Sequence, residues 1–111
     1  MNITEDSSSE VHYHTRRVHF EGAPAEPYVG FIHKGKLWVP DTASARWDHE
    51  QPIQKITVSG PILKKDGTPS QNRGKREYLT PADPMWARAA AEGGWYAQAP
   101  AWLLELFGIQ A

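Results

Sequence analysis

Glycine and proline interrupt this chain so often that no long regular element fits between them. The 111 residues include nine glycines and nine prolines. Because both residue types end helices and punctuate strands, this turn content favours short strands over long helices. A chain of this length has room for one domain with one small core. We therefore expect a single, β-rich domain.

The first twenty residues divide into a polar segment and a strand. Residues 1–10 show no periodicity and carry three carboxylates but no basic residue, so we expect a flexible acidic tail. Residues 11–20 are rich in β-branched and aromatic types and predict a strand, although neither of its faces is cleanly apolar. The domain itself is then expected to span residues 11–111.

Residues 28–40 predict a β-hairpin. Two apolar runs flank a Lys-Gly dipeptide, and a two-residue loop there pairs Ile32 with Leu37 and Phe31 with Trp38. Lysine is a poor residue for the first position of such a turn, so a longer loop is the alternative. The pattern therefore predicts the hairpin and leaves its register open.

Residues 54–64 and 75–80 predict a second hairpin. The first of these strands alternates well until a Gly-Pro dipeptide interrupts it, which implies a bulge, a bend or a strand end. The connection at residues 66–74 contains no apolar residue and is expected to be an exposed, mobile loop. Residues 41–53 are expected to form a polar connection between the two hairpins.

After the last strand the pattern becomes helical. Asp83 followed by Pro84 is typical of a helix start, and a Gly-Gly pair ten residues later is typical of its end. A second short helix is expected between Pro100 and Gly108, with Ile109 folding back onto its end. The chain thus predicts an α+β fold: a small, bent antiparallel sheet of four to five strands, open or partly closed into a barrel, with two short C-terminal helices packed on it.

Composition and charge exclude several function classes. The chain has no cysteine, which removes disulfides, thiolate metal sites and cysteine nucleophiles. No apolar run has transmembrane length, and the acidic N-terminus is unlike a signal peptide, so we expect a cytoplasmic protein that does not contact membranes. No phosphate-binding glycine loop or nucleophile motif occurs, so neither a cofactor nor a catalytic residue is predicted. A formal net charge of −1 gives no overall attraction to nucleic acid.

Basic charge is nevertheless concentrated in the second hairpin. Residues 64–76 carry five basic residues against Asp66 alone. Cationic side chains on an exposed loop can contact phosphates or an acidic protein surface. A solvated loop with no role in binding is the competing interpretation. The expected contact surface, extended into the first strand, comprises Lys64, Lys65, Arg73, Lys75, Arg76, Arg16 and Arg17.

Two histidines in the first strand indicate a different class of function. His12 and His14 share one face if the strand alternates, and such a pair can point two imidazoles at one metal ion. The competing interpretation is that both are ordinary, half-exposed strand residues. A catalytic metal site also needs a further ligand, for which the candidates are His33, His49, Asp48 and Glu50.

Aromatic and C-terminal apolar residues predict the core and one further surface. Most of the five tryptophans are expected to build the core, with Trp47 and Trp95 partly exposed. A short helix turns only part of its circumference to a core, and Leu104 falls outside the stripe of its apolar neighbours. We therefore expect Leu104, with Trp102 or Phe107, to form a homodimer or partner contact, unless the tail or the Pro-rich linker covers them.

The second half of the chain contains the stretches SGPILKKDGTPSQNRGKREY and APAWLLELFG. In these it resembles small uncharacterised proteins of actinobacteria and their bacteriophages. The resemblance defines no motif and implies no catalytic residue; it implies host-directed or defence-directed binding and nucleic-acid transactions rather than metabolism. The expected function is a non-enzymatic binding module for nucleic acid or an acidic protein surface. A metal-dependent enzyme built on His12 and His14 is the alternative.

Overall fold

A computed structural model describes residues 2–9, 13–21, 31–33, 36–48, 50–92 and 96–110. Seven of the described strands come first, and the two helices follow near the C-terminus with one more strand between them. In chain order they are β1 (Asn2–Ser9), β2 (Tyr13–Glu21), β3 (Phe31–His33), β4 (Lys36–Trp38), β5 (Thr42–Asp48), β6 (Lys55–Leu63), β7 (Pro69–Leu79), α1 (Trp86–Glu92), β8 (Tyr96–Gln98) and α2 (Ala101–Leu106).

All the described strands belong to one sheet. The order β1-β2-β5-β6-β4-β3 forms one path, and β7 pairs with the other edge of β6 and with β8. The pairing of β7 with β8 is parallel, whereas the other pairings are antiparallel. Strand β6 is the centre of this arrangement, since it lies beside β5, β4 and β7. Over the described strands the sheet stays open.

The expected fold class is confirmed in its coarse form, a small sheet-dominated domain with two short helices. The structure corrects two details, because it has eight described strands rather than four to five, and these do not close into a barrel. Neither described helix has the length and apolar character required to cross a membrane.

Two segments without a clear strand pattern form strands. Residues 2–9, expected as a tail without regular structure, are β1, which pairs with β2 along its whole length. Residues 42–48, expected as part of a connection, are β5, which lies between β2 and β6. Both segments are held by ladder hydrogen bonds to neighbouring strands, which supply stability that short polar and alanine side chains do not.

The two predicted hairpins are present. In the first, β3 and β4 pair Ile32 with Leu37 and Phe31 with Trp38, the register that a two-residue loop requires. In the second, β7 begins at Pro69, so most of the expected loop at residues 66–74 is strand. The register shifts between Pro61 and Leu63, as the interrupted ladder predicted.

The core lies on one side of the sheet, which we call the inner face. Alternate residues of the central strands are buried there together with residues of α2. The predicted core tryptophan Trp38 is 2% exposed, Trp102 packs against the cluster from its margin, and Trp95 lies outside the described residues. The buried cluster comprises Val18, Phe20, Trp38, Ala43, Ala45, Ile56, Val58, Tyr78, Ala99, Leu103, Leu104 and Phe107.

Two paired glycines allow the chain to cross the sheet closely. Gly60 of β6 faces Gly74 of β7 across the ladder. A Cβ added to Gly60 would lie 1.8 Å from the carbonyl oxygen of Val39, and one added to Gly74 would lie 2.5 Å from Cγ of Trp38. The absence of both side chains therefore makes room for the Trp38 ring and for the two residues that follow β4.

The helix ends follow the sequence signals. The Oδ1 of Asp83 accepts a hydrogen bond of 2.8 Å from the backbone N–H of Met85, and α1 begins just beyond it. At the end of α2, Gly108 has a φ of +67°, and the N–H of Ile109 donates to the carbonyl of Leu104 over 2.9 Å. This six-to-one bond and the partly buried Ile109 form a Schellman end, which confirms the predicted fold-back.

The expectation that Leu104 is exposed is wrong. Leu104 is 2% exposed, and Leu103 beside it is fully buried. Consecutive helical residues point about 100° apart, so the protein covers a wider arc of α2 than one apolar stripe. Phe107 is also buried and Trp102 is half-buried. The contact expected from Trp102, Leu104 and Phe107 therefore lacks its exposed leucine.

Candidate nucleic-acid interface

The side of the sheet opposite the core, which we call the outer face, is lined by polar and charged residues. In β5, buried Ala43 and Ala45 alternate with outward positions, and β6 alternates in the same way. Because successive side chains of a strand point to opposite faces, the strand register fixes which residues share this surface. Besides Pro61 and the buried Leu79, the outer face of the four central strands carries polar and charged residues, namely Tyr13, Thr15, Arg17, His19, Thr42, Ser44, Arg46, Asp48, Lys55, Thr57, Ser59, Arg73, Lys75 and Glu77.

Among the depressions on this face, two adjoin each other and share three residues. Thr15, Arg17 and Arg46 line both depressions. The first is completed by β1, and the second by β5, β6 and β7. The further lining residues are Asp6, Ser7 and Ser8 in the first and Ser44, Ala45, Lys55, Thr57 and Glu77 in the second.

The turn of the basic hairpin is short and ordered. The N–H of Lys64 donates to the carbonyl of Thr68 over 2.8 Å, which closes the turn before β7 begins. The Oδ1 of Asp66 accepts hydrogen bonds from the hydroxyl and the N–H of Thr68 at 2.6 and 3.0 Å. The hydrogen bond from the Thr68 hydroxyl is the main reason that the pKa of Asp66 lies below its usual value, and the bond from the Thr68 N–H adds to the effect. Lys64 and Lys65 remain exposed at the tip.

Arg73, a predicted contact residue, is engaged within the protein. Its guanidinium forms an ion pair with Asp41, and its Nη2 donates to the Oγ of Ser59 over 3.2 Å. Asp41 directly precedes β5, so the pair ties β7 to the far side of β6. The charge of Arg73 is thereby largely neutralised on the outer face.

Arg76 and Arg16, also predicted contact residues, belong to the inner face. The guanidinium of Arg76 lies 5.5 Å from the ring centroid of Tyr78. Arg16 donates from Nη2 to Oε2 of Glu5 over 2.9 Å and lies 5.4 Å from the ring centroid of Phe107. The hydrogen bond from Arg16 lowers the pKa of Glu5. The predicted basic set is therefore divided between the two faces.

The remaining predicted cations have no such partners. Among the described residues, the side chains of Arg17, Lys64, Lys65 and Lys75 make no ion pair or hydrogen bond. All four are exposed. Arg17 and Lys75 lie on the outer face, whereas Lys64 and Lys65 lie at the end of the hairpin that forms one border of it.

Two cations of the outer face were missed by the sequence analysis. Arg46 lies in β5, and its guanidinium is 4.0 Å from the ring centroid of Tyr13, a stacked geometry. Lys55 begins β6 and lines the second depression. The alternation of Thr42, Ser44 and Arg46 with two alanines was the signal available for β5, but alanine is a weak strand indicator.

The predicted metal site is not assembled by the described residues. His12 and His49 lie outside them, as does the side chain of His33, and no described group of three or more His, Asp or Glu residues converges. His14 packs on Trp47, with ring centroids 5.2 Å apart, and Asp48 accepts a hydrogen bond from the N–H of Glu50. The His12–His14 site stays a prediction, which metal analysis of the purified protein tests.

Comparison with known proteins assigns the chain to no family. No protein-family model, no curated protein and no solved structure matches the chain. The resemblance to actinobacterial and bacteriophage proteins therefore stays a prediction.

Proposed function

We propose that the chain is a non-enzymatic binding protein that contacts nucleic acid through its outer face and the adjoining hairpin turn. The observation that supports this proposal is the set of exposed cations without an intramolecular partner among the described residues, Arg17, Lys64, Lys65 and Lys75. Neutralising phosphates and releasing their counterions is the main source of sequence-independent affinity for nucleic acid. These four residues supply that chemistry even though the net charge of the chain is −1.

The composition of the outer face favours phosphates over an acidic protein. Hydroxyls of Thr15, Ser44 and Thr57 lie between the cations, and both hydroxyls and cations are common donors to phosphate oxygens. Protein interfaces instead have an apolar or aromatic centre. Among the large exposed apolar side chains that the structure describes, only Tyr13 lies on the outer face of the central strands.

Three acidic groups of this face are engaged or half-buried, and Asp48, a fourth, is exposed and accepts a hydrogen bond from the N–H of Glu50. Asp41 pairs with Arg73, and Asp6 accepts a contact of 2.9 Å from Nε2 of His19. Glu77 is half-buried. It lies at the end of a row of paired residues that crosses the sheet in the order Asp6, Arg17, Ser44, Thr57 and Glu77. A polyanion can therefore approach Arg17 and Lys75 without displacing an existing ion pair.

The proposal is tested by fluorescence anisotropy with a labelled single strand of roughly 16 nucleotides, the upper range for a small binding fold. A triple variant, Lys64→Ala, Lys65→Ala and Lys75→Ala, is compared with the wild type over a salt titration. Each lost phosphate contact lowers the log–log salt slope by about 0.7, so the triple variant is expected to lose about 2. A single variant, Lys75→Gln, is compared with the control Arg88→Gln on α1. The control is expected to leave the affinity for the oligonucleotide and the salt slope unchanged.

A variant of opposite sign guards against a simple loss of folding. Asp41→Asn removes the partner of Arg73 and is expected to raise affinity, because a fifth cation becomes available. The proposal fails if the wild type binds no oligonucleotide at about 50 mM salt and about 100 μM protein, the weak limit of non-specific binding. It also fails if polyglutamate binds while the oligonucleotide does not, which would indicate an acidic protein partner instead.

A further inference from the structure

Two arginines on neighbouring strands line the junction of the two depressions. Thr15 of β2 faces Arg46 of β5, and Arg17 faces Ser44. Arg17 and Arg46 are thus diagonal neighbours, whose positions lie about 7–8 Å apart across an antiparallel ladder. Both side chains line both depressions. Arginine side chains are long enough for two of them, at positions this far apart, to reach one anion.

Arg46 is oriented by its surroundings. Its guanidinium lies 4.0 Å from the ring centroid of Tyr13, which holds the planar group against an aromatic face. Arg17 has no ion pair or hydrogen bond among the described residues and is exposed. A fixed arginine and an available one therefore adjoin the same surface.

Hydroxyl groups complete the lining of this junction. Ser8 of β1 faces Thr15 across the β1–β2 ladder, and Thr15 in turn faces Arg46. Both hydroxyls can donate to an anionic oxygen, as they do in phosphate contacts. Asp6, the acidic residue of the same depression, is in contact with Nε2 of His19 at 2.9 Å.

We infer that Ser8, Thr15, Arg17 and Arg46 form a phosphoryl-binding subsite of the outer face. The inference rests on the proposed function and deepens it, because it assigns one phosphate of the bound strand to a defined position. Two guanidinium groups can form paired N–H···O bonds with a phosphoryl group, whereas lysines act as point charges. The subsite therefore requires arginine, and the rest of the surface requires only positive charge.

This difference gives the decisive experiment, in which charge is kept and geometry is changed. Arg17→Lys and Arg46→Lys are made singly and together, with Arg88→Lys on α1 as the matched control. Binding of inorganic phosphate is followed by NMR chemical shifts of the backbone and arginine Nε–H groups. The double variant is expected to bind phosphate about tenfold more weakly, since it loses the paired bonds but no charge. Arg46→Lys also loses the stacking of the guanidinium on Tyr13 and could destabilise the fold. Arg17→Lys removes no such contact and is therefore the variant expected to disturb folding least.

Oligonucleotides with and without a 5′-phosphate identify the source of the phosphoryl group. Tighter binding of the phosphorylated strand, lost in Arg17→Lys, assigns a terminal monoester to the subsite. Equal binding of both strands, weakened alike by Arg17→Lys, assigns an internal diester.

The outcomes separate the subsite from the proposed function. Phosphate binding that depends on Arg17 without any oligonucleotide binding would support the subsite and refute the nucleic-acid function. Oligonucleotide binding that is unchanged in the double lysine variant would refute the subsite and leave the function standing. Phosphate shifts centred on Lys64 and Lys65 instead of Arg17 would also overturn the subsite.

Discussion

Replacing Gly74 with alanine tests the close crossing between β4 and the β6–β7 hairpin. The new Cβ would lie 2.5 Å from Cγ of Trp38 and 2.6 Å from both Cδ atoms. These distances are well inside the 3.4 Å at which ordinary van der Waals contact begins. Trp38 is 2% exposed, and the atoms in question are the root of its ring, so the ring cannot swing aside.

The expected loss follows from overpacking and is partly offset in the unfolded state. Forcing one methyl into a filled core costs about 1–3 kcal/mol, and the rigid ring places Gly74→Ala at the upper end. Alanine also lowers the conformational entropy of the unfolded chain, which stabilises the folded state by roughly 0.4–1 kcal/mol. The net loss is therefore about 2 kcal/mol, which lowers the melting temperature by roughly 8 °C in a domain of this size.

Two other glycines supply the comparison. Gly60→Ala brings its Cβ to 1.8 Å from a backbone oxygen, which cannot move without shifting the chain, so its loss should exceed that of Gly74→Ala. Gly67 has a φ of +88° and nothing within 4 Å of the added Cβ, so only backbone strain of about 1 kcal/mol applies.

Urea and thermal unfolding, followed by tryptophan fluorescence and far-ultraviolet circular dichroism, measure the three variants. The expected order of destabilisation is Gly60→Ala, then Gly74→Ala, then Gly67→Ala. A Gly74→Ala protein as stable as Gly67→Ala would show that Trp38 does not pack on β7 as described.

Three further perturbations test separate parts of the fold. Leu104→Ala should lower the free energy of unfolding by roughly 2–5 kcal/mol, because it removes a buried side chain; unchanged stability with a smaller mass in sedimentation would instead indicate an exposed dimer contact. The hydrogen bond from Arg16 depresses the folded-state pKa of Glu5, so its stabilisation is present above the ordinary value of 4.5 and is lost as pH falls through the lowered pKa. Urea midpoints measured against pH should show this loss in the wild type, and an equal slope in Glu5→Gln would contradict the ion pair. Thr80→Val removes the hydroxyl that donates to the carbonyl of Ile53 over 2.6 Å, and a loss of about 1–3 kcal/mol in urea unfolding is expected, whereas no loss would mean that this buried bond contributes nothing.

Features specified by neighbouring residues were predictable from the sequence. The β3–β4 hairpin follows from two apolar runs around a Lys-Gly dipeptide, and the structure selects the two-residue pairing from the two registers left open. The end of α2 follows from Gly108 and Ile109, which lie within one turn of the last helical residue. In both cases the residues that determine the geometry are less than ten positions apart.

Features that depend on distant partners were not predictable in the same way. Strand β1 has exposed polar side chains and is defined by its ladder with β2, not by an apolar period. Leu104 was assigned to the wrong environment because a helix of six residues can be covered on more than one side by a sheet and its flanks. Neither the pairing of β1 nor the burial of Leu104 can be predicted from the residues next to them in the sequence.

The candidate site shows the same limit. Charge counting identified Lys64, Lys65 and Lys75, which do remain exposed. By the same count Arg73 is equivalent to these lysines, although it pairs with Asp41, 32 positions away. Arg46 gave no such signal, because the strand that carries it has small residues at its buried positions.

Among the described strands, β1 lies at one edge of the sheet, which has a consequence for self-association. An edge strand offers unpaired backbone groups to a second copy, and proteins commonly block this route to aggregation with charge. In the central antiparallel registers of two β1 strands, Glu5 meets Glu5, Glu5 meets Asp6, or Asp6 meets Asp6 of the other molecule. Like charges directly opposite destabilise such a pair. We therefore expect the two carboxylates to disfavour fibril-like stacking, and light scattering should reveal aggregation of a Glu5→Gln, Asp6→Asn variant at neutral pH where the wild type stays clear.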